Sequence, residues 1–251
     1  ILLFLLNFFI SIADIQSMKK WIIVLTLFLS SYFVFSQEVK PLYQLPNNPS
    51  VNSSEEIETD VFLVGSDDGL FKVTNRNSAF PLWTEGRVDQ ILQINVPLDS
   101  SETEISEKNV KQTAWIMRTS KGIIFTRDLI NFEERNTGLP FLTIKKYENN
   151  TTYLEKQIQE LEDLCVNPLN HKEMVTATKD SVFISKDAGL SWNNLGSMSK
   201  TTPGVKAVAV ATIQGETVVF MSHPIFGLSY IFPDRQKATW NDVDAGFEKM
   251  P

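Results

Sequence analysis

From Asp60 onward the apolar positions of the chain fall in short runs rich in Val, Ile, Phe and Thr, each cut off by a polar turn. Four segments share this order: DVFLVGSDDGLFKVTN, TAWIMRTSKGIIFTRD, EMVTATKDSVFISKD and TVVFMSHPIFGLSYIFPD. Each reads as a strand, a turn (SDDG, TSKG, TKDS or HPIFG) and a second strand, which is a hairpin. Aligning Gly69, Gly122, Ser181 and Gly227 gives spacings of 53, 59 and 46 residues, as expected of a repeated unit with loops of variable length. A third strand follows each hairpin with an aromatic residue near its start: Trp83, Phe132, Trp192 and Trp240. Apolar runs lead into the last three hairpins, RVDQILQINVP, IQELEDLCVNP and GVKAVAVATI.

One unit is therefore about four strands in up-and-down order, and a sheet that small buries its faces only by stacking on its neighbours. The pattern predicts an all-β chain: a β-propeller of four-stranded antiparallel blades, with blades near 61–86, 87–140, 153–197 and 204–251. Inner strands covered on both sides read as continuous apolar runs, as GVKAVAVATI does. The first hairpin has no apolar run before it and the sequence stops after the fourth unit. The expectation is a ring truncated at its carboxyl end, with a closed four-blade ring as the alternative. TYLEKQIQELEDL places Leu154, Ile158 and Leu161 at i, i+4 and i+7 and reads as a short helical insertion.

The amino-terminal region has a different character. Met18-Lys19-Lys20 opens an apolar run from Trp21 to Phe35, with Val34 and Ser36 as small residues before Gln37. Residues 18–36 read as a signal peptide cleaved after Ser36, the competing reading being an uncleaved anchor. Residues 1–17 form an apolar segment ahead of that methionine, either upstream of the gene's start or the sign of a fragment. Residues 37–60, with three prolines and an Asn/Ser/Glu cluster, read as a linker. The expected location is exported: periplasmic, cell-surface or extracellular.

Charge narrows the partners. The net charge of −7 becomes −8 when Lys19, Lys20 and Asp14 leave with the leader, and the 23 basic residues are scattered among 30 acidic ones. Polyanion binding needs clustered Lys and Arg, so nucleic acid is not an expected partner, and contact with membrane is expected only through an uncleaved leader. The single cysteine, Cys165, forbids an internal disulfide and reads as a small buried hydrophobe rather than a nucleophile.

One motif stands out. In SKDAGLSW, Ser185, Asp187, Gly189, Ser191 and Trp192 are spaced as a tight turn whose carboxylate accepts local N–H bonds. The stretch resembles the Asp-box of bacterial neuraminidase-type (BNR) repeats, a family that includes sortilin-type and photosystem II assembly-factor propellers. The resemblance implies a structural turn between the third and fourth strands of a blade: Asp187 caps backbone N–H groups, Gly189 takes a left-handed conformation and Trp192 packs beneath. Thr126, Asp128 and Phe132 repeat the motif in degenerate form, one residue short and without its glycine.

Candidate chemistry is sparse. Sialidases of the same repeat family hold a carboxylate with an arginine cluster, and this chain offers Arg76, Arg87, Arg118, Arg127, Arg135 and Arg235. Arginines beside hairpins read as solvated edge residues, and no Phe/Tyr-Arg-Ile-Pro segment accompanies them. His171 and His223 lack partners at metal-ligand spacing, Glu102, Glu104 and Glu107 read as an acidic loop, and no phosphate loop or nucleophile elbow occurs. Asn52, Asn149 and Asn150 stand in glycosylation contexts. No catalytic residue, cofactor or metal is therefore expected. The function read from the sequence is an exported non-catalytic propeller that binds a protein or glycan at its ring face; the alternative is a fragment or accessory module of a secreted hydrolase.

Overall fold

The computed structural model describes residues 45, 49–74, 78–97, 111–148, 151–197 and 204–243. The expected leader and part of the expected linker lie outside the described residues, as do Arg76, Glu102, Glu104, Glu107, Asn149 and Asn150. Among the described residues there is no helix, and all but two strands belong to four-stranded antiparallel sheets in plain chain order. The first blade is β1 (Val51–Glu58), β2 (Val61–Ser66), β3 (Gly69–Thr74) and β4 (Ser78–Trp83). The second is β5 (Val88–Pro97), β6 (Lys111–Thr119), β7 (Gly122–Thr126) and β8 (Glu133–Glu134). A hairpin of β9 (Phe141–Glu148) and β10 (Thr151–Ile158) precedes the third blade, β11 (Asp163–Val166), β12 (Met174–Ala177), β13 (Val182–Ser185) and β14 (Asn193–Gly196). The fourth is β15 (Ala207–Ile213), β16 (Glu216–His223), β17 (Gly227–Ile231) and β18 (Asn241–Asp242). These are propeller blades.

The core lies between blades, because successive residues of a strand point to opposite faces of its sheet. Met117 and Ile124 meet Leu63, Leu70 and Trp83 of the first blade, whereas their neighbours Ile116 and Phe125 meet Met174, Phe183 and Trp192 of the third. Val175 and Ile184, one residue along from Met174 and Phe183, pack on Val208, Met221 and Ile231 of the fourth. Each fully buried aliphatic or aromatic side chain contributes roughly 1.5–3 kcal/mol, so the blades hold one another rather than standing alone.

Two polar devices recur with the blade. The residue that ends each second strand, or in the third blade the one just after it, caps the turn that follows: Ser66 Oγ accepts the Asp68 N–H (3.3 Å) and Thr119 Oγ1 the Lys121 N–H (3.0 Å). Thr178 Oγ1 accepts the Ser181 N–H (3.2 Å), and His223 Nδ1 accepts those of Ile225 and Phe226 (3.1 and 3.2 Å). One residue further into the sheet, a side chain of each inner strand reaches the backbone of the next inner strand. Ser53 Oγ accepts the Ile91 N–H (3.2 Å), Gln90 binds both the N–H and the carbonyl of Leu164, and Asp163 Oδ2 accepts the Val208 N–H (2.9 Å). The equivalent residue of the fourth blade is Ala207, whose methyl group can make no such bond.

Three expectations need correction. The linker was expected to run to residue 60, but Val51–Glu58 is the inner strand of the first blade. Its sequence, VNSSEEIE, reads as polar because only Ile57 packs against a core and the strand is joined to its neighbours by backbone and hydroxyl bonds. The first blade therefore has its own inner strand. The expected helix is strand β10, paired residue for residue with β9 from Thr151↔Glu148 to Ile158↔Phe141. GVKAVAVATI was expected to be covered on both sides, yet Ala207 and Ala209 of β15 are exposed. No apolar cluster among the described residues joins the fourth blade to the first, so the blades form an unclosed series.

Candidate functional site

The up-and-down order sorts connections to two ends. Turns between third and fourth strands lie at one end; hairpins between second and third strands, with the passages into the next inner strand, lie at the other.

At the first end, the Ser185–Trp192 turn is closed by its own side chains. Asp187 Oδ1 accepts the Ser185 hydroxyl (2.8 Å) and the Ser191 N–H (2.9 Å), while Oδ2 accepts the Ser191 hydroxyl (2.5 Å). Ser185 Oγ in turn accepts the Gly189 N–H (2.8 Å). Ala188 and Gly189 both have positive φ, 60° and 87°, which turns the chain sharply enough to bring Ser191 back onto the carboxylate. Burial pushes the Asp187 carboxyl up, but the hydroxyl and N–H of Ser191 and the Ser185 hydroxyl outweigh it and hold the group below the usual carboxylate range.

The shorter Thr126–Phe132 turn repeats this pattern. Asp128 Oδ1 accepts the N–H groups of Ile130 (2.9 Å) and Asn131 (2.8 Å), and Thr126 Oγ1 accepts the Leu129 N–H (2.9 Å). Led by the Asn131 N–H, then the Ile130 N–H and the Asn131 amide, the bonds to its carboxylate lower the Asp128 pKa to about 2. Asp128 and Asp187 sit in different blades and do not form a catalytic pair. Phe132 is half-buried against the core between the first and second blades.

Trp192 leaves its turn and crosses the blade boundary. Its indole N–H donates to the Arg135 carbonyl (2.8 Å) and its backbone N–H to the Thr137 carbonyl (2.9 Å). Arg135, expected to be solvated, is only 6% exposed. Its guanidinium lies 3.3 Å from the Phe125 ring centroid and donates to the Ala188 carbonyl (2.6 Å), where burial lowers its pKa. The other described arginines do not gather into one cluster. Arg87 and Arg118 share Asp89 (2.6 and 3.6 Å), Arg127 lies 5.7 Å from the Phe125 centroid, and Arg235 stacks 3.6 Å from Phe232 and pairs with Glu216.

The opposite end carries most of the exposed ionic groups that face one another between blades. Arg87 reaches Glu160 (3.2 Å), and Glu162 lies between Lys179 (3.8 Å) and Lys206 (3.4 Å). Beside the first blade, Asp67, Asp68, Phe71, Pro81 and Glu85 line an open cleft of about 490 Å³ with acidic walls and an apolar floor. Sequence reasoning missed this end, because its members come from five separate loops and share no spacing. His171 is tied into the fold, its Nδ1 accepting the Asn95 N–H (2.7 Å). Cys165 is half-buried, and desolvation raises its thiol pKa. Among the described residues no three His, Cys, Asp or Glu side chains are placed to share a metal ion.

No protein-family model and no curated protein matches the sequence. Solved structures with partial likeness include YCF48 bound to D1 peptide, at 12% identity and TM-score 0.44 over 77% of this chain and 52% of that one. The GH74 enzyme of Niastella koreensis aligns at 13% identity and TM-score 0.34 over 73% of this chain and 36% of the enzyme. PorZ, a surface component of the type-IX secretion system of Porphyromonas gingivalis, aligns at 10% identity and TM-score 0.33 over 76% of this chain and 28% of PorZ. The chain thus spans between about a quarter and a half of the proteins it is similar to, and identities this low carry no activity across.

Proposed function

We propose that the chain is an exported, non-catalytic propeller that serves as a scaffold for a protein or glycan ligand, and that the ligand meets the end where the inter-blade passages gather. The supporting observation is the division between the two ends. Asp187 and Asp128 have their oxygens occupied by their own turns, whereas Lys179, Lys206, Glu160 and the acidic cleft present charge at the other end. In this reading the Ser185–Trp192 turn is an Asp-box, Thr126–Phe132 is its degenerate copy, and residues 18–36 direct export.

The test places a photo-crosslinking residue at Lys179 in the native host, and in parallel incubates the purified chain with sialosides and cell-wall and plant polysaccharides. The reading expects a discrete crosslinked ligand that is lost in Lys206→Glu and retained in Asp187→Ala, with no new reducing ends. Release of sugar that Asp187→Ala abolishes would instead make the turn carboxylate catalytic and sink the proposal.

A further inference from the structure

The β9–β10 hairpin serves no blade. It is inserted in the passage from the second blade to the third and tied at its base by the Gln159 N–H to the Pro140 carbonyl (2.9 Å) and the Gln159 amide to Asp180 (2.8 Å). Beyond Ile158, which is buried in the core between those blades, both strands stand in solvent. An isolated two-stranded ribbon is marginal in water, and this one exposes large apolar side chains along its length.

Its register separates two unlike faces. One carries Leu142, Ile144, Lys146, Glu148, Tyr153 and Glu155, where Lys146 pairs with Glu155 and the Tyr153 hydroxyl donates to Glu148 (3.1 Å), so it has one carboxylate in excess. The other carries Phe141, Lys145, Tyr147, Leu154 and Lys156, with threonines between them and no carboxylate. Phe141 is 52% exposed, Tyr147 72% and Leu154 71%. In a chain of net charge −7, that face is basic and apolar together.

We propose that the β9–β10 hairpin is a docking arm whose Lys145/Lys156 face takes a partner protein bearing an acidic, apolar patch. Aromatic and aliphatic anchors flanked by uncompensated like charges are complementary to apolar residues flanked by carboxylates, and the lysines steer the encounter. An anionic membrane is the poorer fit. Lipid-binding basic clusters carry about 4–8 Lys or Arg, whereas this face has two. The arm is distinct from Lys179 and Lys206, so its failure and that of the proposed function can be told apart by which variant loses binding.

The experiment measures binding of the full chain to an immobilised 12-residue peptide of alternating Glu and Val, to its Lys/Val counterpart, and to phosphatidylserine vesicles. The expected result is salt-sensitive binding to the acidic peptide alone. The double variant Lys145→Glu/Lys156→Glu should reduce it at least tenfold and bring on binding to the basic peptide, and Leu154→Ser should weaken it, both with an unchanged melting temperature. Lys179→Glu/Lys206→Glu should leave it intact. Equal binding of both peptides, no loss in the Lys145→Glu/Lys156→Glu protein, or vesicle binding in preference to the acidic peptide would overturn the docking arm.

Discussion

Gln90 bridges to Leu164 across the joint between the second and third blades, its amide donating to the Leu164 carbonyl (2.9 Å) and accepting the Leu164 N–H (3.1 Å). One side chain thus imitates a strand neighbour for an inner strand of four residues. Replacing it by leucine leaves both backbone groups of Leu164 without that partner. A loss of about 1–3 kcal/mol is expected for Gln90→Leu in urea denaturation, with Gln90→Glu, which keeps the acceptor, in between. Wild-type stability in the leucine variant would mean that water replaces the bridge at no cost.

Asp187 closes its turn through Ser185 and Ser191, so its removal acts as loss of a cap. Asp187→Ala should destabilise by about 1–2 kcal/mol, and Asp187→Asn by less, because the amide oxygen still accepts the Ser191 N–H. Thermal denaturation read alongside ligand binding checks both halves: stability falls while binding at the opposite end persists.

How much of this could be read from the sequence follows from how local each interaction is. The second and third strands of each blade were legible because Val, Ile and Phe recur with period two around turns, and because Gly69 and Gly122 occupy positions with φ of 126° and 95°. Strand β1 was not: its side chains bury little, and its place is fixed by pairing with β2. Leu154 and Ile158, four apart, share a face in a helix and equally in a strand, so that spacing could not decide between them. The bonds within Ser185, Asp187 and Ser191 follow from spacing, whereas Trp192 meets Arg135 across 57 residues. The inter-blade bridges use Ser53, Gln90 and Asp163, three side-chain types with one geometric role and no common spelling.

Acid should loosen the Thr126–Phe132 turn late. The Asp128 pKa is about 2, below the ordinary 3.8, so its contribution is fully present above about pH 4 and is lost as pH falls through about 2. The Asp187 carboxyl, also lowered, acts with the same sign. Melting temperature followed from pH 5 to about pH 2 should fall less steeply in Asp128→Asn than in the wild type; parallel curves would show that the carboxylate is not held by the turn.

Arg135 joins two blades through chemistry that lysine cannot reproduce. Its planar guanidinium stacks on Phe125 of its own blade while donating to the Ala188 carbonyl in the turn of the next, and Glu133 accepts a further bond (3.0 Å). An ammonium group offers neither the flat face nor the fork, so Arg135→Lys should keep the charge yet lose roughly 1.5–3 kcal/mol. Arg135→Met, which fills part of the volume without a charge to desolvate, separates stacking from hydrogen bonding. If methionine restores stability where lysine does not, packing on Phe125 dominates. If both fall equally, the bond to Ala188 does, and the Ser185–Trp192 turn should then show faster amide exchange at Gly189 in both variants.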